Sequence, residues 1–153
     1  MTKSDFDALQ QLVMGDMQQV YTPVVVDHAM NPRNVGSIND ADGFATMQSD
    51  CGESMEIWLR IQDERIEEVR FWSDGCGATI ACGSMVSDIA HGKTITSALK
   101  IEERNIIDAF GGLPEGNRHC ATLAVNTLKK AIVDYLSLRK EPWKKAYRKK
   151  QIQ

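Results

Sequence analysis

Between Met55 and Trp72 the hydrophobic period of this chain is two, and on both sides of that stretch it is three to four. Met55, Ile57, Leu59 and Ile61 alternate with Glu56, Trp58, Arg60 and Gln62, the pattern of a strand with one face in the core. Asp63-Glu64-Arg65 reads as a turn and Ile66 to Trp72 as a second strand. Ile66 and Val69 are out of phase with each other, which predicts a bulge near Glu67-Glu68. An earlier strand over Phe44 to Ser49 completes a three-stranded antiparallel meander. A sheet with one apolar face must be covered, and the flanking segments supply the cover. Phe6, Leu9, Leu12, Val13, Met17 and Val20 mark an amphipathic helix, and Thr22-Pro23 opens a short one that stops at Asn31-Pro32. A helix over Thr79–Ala90, with Ile80, Met85 and Ile89 on one side, should stop at His91-Gly92. At least one short helix precedes Gly111-Gly112. The last helix starts near His119 and carries a wide stripe of Leu123, Ala124, Leu128, Ala131, Ile132, Tyr135 and Leu136. Strands grouped in the middle with helices on either side predict an α+β domain: a three-stranded antiparallel sheet packed against several helices.

Length and charge narrow the function classes. At 153 residues the chain can bury a core without covalent staples, and no apolar run approaches the roughly 20 residues that span a bilayer. Met1-Thr2-Lys3-Ser4-Asp5-Phe6-Asp7 has neither a basic start nor an apolar core, so no secretory signal is read there and a cytoplasmic, thiol-reducing location is expected. Seven bases and one acid fall between Arg139 and Lys150, leaving 11 bases against 20 acids elsewhere. Residues 1–138 are read as one domain including the N-terminal helix, and 139–153 as a basic helical tail, a solvated helix end. The acidic body argues against nucleic acid as a partner. Neither a nucleophilic-serine motif nor an HExxH zinc motif occurs, which disfavours a hydrolase.

The four cysteines carry the chemistry. None pairs as Cys-x-x-Cys. Cys51 precedes Gly52 at the mouth of a predicted strand, Cys76 lies between Gly75 and Gly77 ahead of a helix, and Cys120 follows His119 at the start of the last helix. Side chains at element ends can converge, and amides at a helix start favour the thiolate that binds metal. Glu53, two residues past Cys51, and His119 offer a carboxylate and an imidazole. Three thiolates with one of these make a four-ligand site for zinc or iron–sulfur chemistry. Free cysteines also fill small holes in cores, and that is the reading for Cys82, inside a helix. His28 and His91 read as structural.

In their order along the chain, these residues resemble the U-type iron–sulfur scaffolds, the IscU and NifU N-terminal family. The resemblance rests on Val26-Asp27-His28-Ala29-Met30-Asn31-Pro32-Arg33-Asn34-Val35-Gly36, Asp50-Cys51-Gly52-Glu53, Gly75-Cys76-Gly77-Ala78-Thr79-Ile80-Ala81 and Arg118-His119-Cys120-Ala121, and covers roughly residues 21–138. It implies a non-enzymatic scaffold on which a [2Fe–2S] cluster is built from iron and from sulfur given by a cysteine desulfurase, then passed to recipient apo iron–sulfur proteins. It also implies cluster or metal ligands at Cys51, Cys76 and Cys120, with Glu53 or His119 as the fourth, and Cys120 as the persulfide acceptor, held as thiolate by its helix start. Zinc is expected in the isolated protein. The family's usual aspartate after the first cysteine is Glu53 here. Its Leu-Pro-Pro-Val-Lys stretch is Leu113-Pro114-Glu115-Gly116-Asn117, which removes the lysine and with it the basis for Hsp70-type chaperone docking. The small residue, often serine, at the position of Cys82 is also replaced. Cys120-Ala121-Thr122-Leu123-Ala124 resembles the zinc-binding SufU branch, for which a sulfur relay would be the function. That branch carries an insertion absent here and arginine in place of the histidine. A structural zinc module is the third alternative.

Overall fold

The computed structural model describes residues 20–146, together with Lys3 and Asp5; the expected helix over Phe6–Met17 and the end of the basic tail lie outside the described residues. The elements run α1 (Pro23–Met30), β1 (Gly43–Gln48), β2 (Ser54–Gln62), β3 (Arg65–Ser73), α2 (Gly77–Ala90), α3 (Ile95–Ala98), α4 (Glu103–Phe110), a 3-10 turn (Glu115–Asn117) and α5 (Arg118–Lys140). The three strands form the antiparallel meander β1-β2-β3. Its inner face is Ala45, Met55, Ile57, Leu59, Val69 and Phe71, all buried, and α2 and α5 pack over it.

Local chemistry accounts for the boundaries. Thr22 caps α1 by accepting from Val25 N, Pro23 needs no partner for the amide it lacks, and the helix ends at the Asn31-Pro32 step. The β2–β3 hairpin turns on two residues, Asp63 and Glu64, both left-handed (φ 53° and 63°), so Arg65 belongs to β3 rather than to the turn. Arg60 pairs with Glu68 and Ile61 with Ile66, which leaves Glu67 as the extra residue of the expected bulge. Gly111, left-handed at φ 77°, closes α4.

Both sheet edges are closed from within the chain. Asp134 of α5 accepts from Phe44 N at 2.9 Å and covers the β1 side. On the β3 side the Pro32–Gly36 segment runs parallel to the strand: Phe71 N donates to Asn34 O, and Gly36 N to Phe71 O. The same segment clasps α2, with Arg33 N donating to Ser84 Oγ and Asn34 Nδ2 to Ser87 Oγ. His28 is buried against it, 2.7 Å from Ser84 Oγ and edge-on to Phe110. Burial, then the Arg33 charge, lowers its pKa, so it packs as a neutral ring.

Helix α2 departs from its expected face. Of the expected Ile80, Met85 and Ile89 only Met85 is buried, and apart from it and Val86 the buried side is made of small residues: Ala78, Thr79, Ala81, Cys82, Gly83, Ser84, Ser87 and Ala90. A large-residue stripe would hold the helix off the sheet; this one lets it lie against Phe71 and Met55. Cys82 is fully buried in that face, as expected of a core thiol. The expected solvated tail is partly tied down. Arg139 pairs with Glu64, and Lys145 lies 3.5 Å from both Asp40 and Asp42. Helix α5 runs through the 138/139 boundary to Lys140. No helix among the described residues is long and apolar enough to cross a membrane.

Gly83 tests this packing. A Cβ there would sit 2.5 Å from two ring carbons of Phe71. Alanine ordinarily stabilises a helix interior by about 0.8–1.0 kcal/mol over glycine. Overpacking costs about 1–3 kcal/mol. Gly83→Ala is therefore expected to lower the urea-unfolding free energy by up to about 2 kcal/mol net; a gain in stability would show that α2 is not held this close.

Candidate metal centre

Three backbone devices aim side chains at one point. The β1–β2 connection closes on itself: Ser49 N donates to Glu53 O, Gly52 N to Ser49 O, and Gly52 is left-handed at φ 89°. This leaves Cys51 at the exposed tip of the turn and Glu53 on its inner arm, half-buried. The end of β3 is tied to the start of β2, with Ser54 N donating to Asp74 Oδ1 and Ser73 Oγ to Ser54 O. Cys76 then N-caps α2, but its side chain does not cap, so the sulfur is left for other partners. The 3-10 turn after Pro114 delivers the start of α5, where His119 is half-exposed and Cys120 is fully buried.

One ligand atom each from Glu53, Cys76 and Cys120 lie within 4.8 Å of one another. His119 stands at their rim, with Nε2 3.6 Å from Cys120 Sγ and 3.8 Å from Glu53 Oε2. Cys51 stands outside this trio. It lines an adjacent groove of about 430 Å³ together with His119, Ser49, Thr122, Leu123 and Asn126. Of the five sequence-derived candidates, the fold brings three within ligating distance of each other, places His119 at hydrogen-bond range, and keeps Cys51 at the neighbouring surface. Two thiols, a carboxylate and an imidazole form a donor set that suits tetrahedral zinc or iron held by sulfur. Cys76 is exposed, so the trio opens to solvent on one side.

Cys120 departs from expectation. Its place at a helix start was expected to hold it as thiolate, yet its pKa is pushed up to about 11. Burial is the main cause; Thr79 opposes it with a hydrogen bond, and Cys76 and Glu53 add to the rise. As the third residue of α5 it points into the core, so lost solvation outweighs the helix-end field. Cys82 is driven up in the same way, burial first and Cys120 next.

Two participants went unread in the sequence. Thr79, fully buried, places Oγ1 2.8 Å from Glu53 Oε2, 3.3 Å from Cys120 Sγ and 3.5 Å from Cys76 Sγ. The signal was its spacing of three from Cys76, one helical turn along the same face. Tyr21 donates to Asn117 Oδ1 at 3.0 Å, and burial followed by the nearby Cys76 and Cys120 raises its pKa. No local pattern links Tyr21 to residues almost a hundred positions away.

Comparison with known proteins gives the chain a family. The family model for the NifU-like N-terminal domain matches residues 20–142. The iron–sulfur cluster assembly scaffold protein IscU 1 of Archaeoglobus fulgidus is 48% identical over 117 residues, 76% of each chain. The corresponding IscU protein of Aquifex aeolicus is 41% identical over 119 residues, again 76% of each. Among solved structures, the N-terminal part of a NifU-like protein from Brucella abortus superposes with a TM-score of 0.62 at 17% identity, covering 79% of this chain and 97% of that one, a likeness of fold. With the match running from Val20 through the end of α5, this chain belongs to the NifU-like N-terminal domain family.

Proposed function

We propose that this protein is a scaffold on which iron–sulfur clusters are assembled and from which they are handed on, with Glu53, Cys76, His119 and Cys120 as the ligand set and Cys51 as a mobile-cargo thiol beside it. The observation that carries the reading is the approach of Glu53, Cys76 and Cys120 within 4.8 Å beside solvent, in a chain whose relatives are named as such scaffolds. The iron and the cluster are cargo. Exposure at Cys76 and the groove of Cys51 and His119 give such cargo a way in and out.

Sulfur comes from a cysteine desulfurase, and recipient apo iron–sulfur proteins take the finished [2Fe–2S] cluster. Cys120 is the acceptor: its sulfur attacks the outer sulfur of the donor's persulfide, the donor S–S bond breaks, and the donor cysteine leaves as thiolate. The transfer is redox-neutral. Attack requires Cys120 to lose its proton, and His119 Nε2 at 3.6 Å is placed to receive it. Metal binding imposes the same loss, because the ligand is the thiolate. In the isolated protein zinc competes well for this donor set.

Cys76→Ser and Cys120→Ser are each expected to abolish both zinc binding and anaerobic cluster reconstitution with iron, cysteine and a desulfurase. Cys51→Ser should keep zinc, because Cys51 stands outside the trio, and lose cluster assembly, because the larger cluster draws on the Cys51 thiolate that the family resemblance implies; normal reconstitution of the visible cluster spectrum in that variant would remove Cys51 from the mechanism. Cys82→Ser should keep both functions, with a stability loss of about 1–3 kcal/mol for placing a hydroxyl in the α2 core.

Affinity should follow pH with a definite sign. With the Cys120 proton held to about pH 11, loading releases it, so the apparent zinc affinity rises as pH rises. This one proton contributes about tenfold per pH unit. Competition titration with a chromophoric chelator between pH 6 and 8.5 measures the slope, and a flat profile would show that Cys120 is not a ligand.

A further inference from the structure

The structure leaves a buried hydroxyl at the centre of the ligand trio with no part in the scheme above. Thr79 touches Glu53, Cys120 and Cys76 at 2.8, 3.3 and 3.5 Å. We propose that Thr79 is a positioning residue that holds the Glu53 carboxylate inside the ligand set before metal arrives; this rests on the metal-centre reading above.

Two independent features of the fold support it. The first is the reach of Glu53, whose side chain has two methylenes and one more rotatable bond than an aspartate. A free glutamate loses rotamer entropy when it is fixed. A hydrogen bond from a hydroxyl to a charged carboxylate offsets that loss. The Thr79 hydroxyl has a single proton, and the carboxylate at 2.8 Å is a closer and stronger acceptor for it than sulfur at 3.3 Å. His119 faces the same carboxylate oxygen from the solvent side at 3.8 Å, so Glu53 is held from below and flanked from above.

The second feature is the room made for Thr79. A Cβ at Gly75 would lie 2.7 Å from Thr79 Cβ and Cγ2 and 2.8 Å from its Oγ1. The turn ahead of Cys76 is thus folded onto the branched side chain itself. Gly75 N in turn donates to Ser73 Oγ, which fixes the turn from the other side. The methyl group and the hydroxyl of Thr79 are therefore held in one rotamer, with the oxygen on the ligand side. A partner of metal ligands fixed in this way acts through Glu53 and the sulfurs and need not touch the ion.

Cobalt(II) titration of the metal-free full-length protein tests the proposal, since thiolate-to-cobalt absorption reports sulfur ligation and the visible bands report a tetrahedral shell. Thr79→Val keeps the shape and removes the hydroxyl; Thr79→Ala removes both and serves if the valine variant does not fold. Loss of an outer partner of a ligand typically costs 10–100-fold in metal affinity. About a tenfold loss is expected for either variant, with unchanged far-ultraviolet circular dichroism, and Thr79→Ser should bind within about twofold of the unaltered protein. Glu53→Gln should weaken binding too, and adding Thr79→Val to it should cost little more, because both act through one carboxylate. Additive losses, or full affinity in Thr79→Val, would overturn the role of Thr79 alone. Sulfur-to-cobalt absorption surviving in both Cys76→Ser and Cys120→Ser would overturn the metal centre and this inference with it.

Discussion

The close approach of α2 to the sheet and to α5 is the constraint on which everything else rests. Helix α2 buries mostly alanine, glycine, serine and cysteine, with Met85 and Val86 among them, and at Gly83 it lies directly against Phe71 and Met55, nearer than a bulkier residue there would allow. That approach sets where its first turn begins. Cys76 and Thr79 are one turn apart at that end, and the first buried residue of α5 is Cys120. The convergence of sulfur and carboxylate is a consequence of packing: the ligands arrive from three separate segments because the core leaves each segment one place to end.

The electrostatics of the centre follow from the same burial. Withdrawing Cys120 from water raises its pKa, and the neighbouring Cys76 and Glu53 raise it further. A metal ion reverses this balance, since it replaces protons on the sulfurs and compensates the carboxylate. Cys120 therefore keeps its proton near neutral pH, and a bound cation would displace it. Of the two cysteines of the trio, Cys76 is exposed and Cys120 is buried against the core. The Cys51 turn adds a third sulfur next to the site without being part of its resting geometry.

Much of the fold was legible in the residues. The alternation in β2, the Thr22-Pro23 start, the bulge that isolates Glu67 and the glycine stop at Gly111 are local signals, each set by backbone chemistry within a few positions. The buried face of α2 was legible only at Met85, because periodicity arguments weigh large side chains, and here Ile80 and Ile89 flank a contact made mostly by small residues. The same limit held at the site. Residue type and position at element ends singled out Cys51, Glu53, Cys76, His119 and Cys120, but only the tertiary arrangement separates the trio from Cys51. The rise in the Cys120 pKa was not legible from its helix position, since burial is a property of the whole fold. Thr79 and Tyr21 carry no chemical signature of their own; their part comes from which neighbours the packing gives them.

X-ray absorption of the zinc-loaded protein at the metal edge addresses the central claim most directly, because it counts the atoms around the ion without reference to activity. The account predicts a first shell of two sulfurs at about 2.3 Å and two nitrogen or oxygen atoms at about 2.0–2.1 Å. A shell with no sulfur, or with a single one, would contradict it, since Cys76 and Cys120 could not then be holding the same ion.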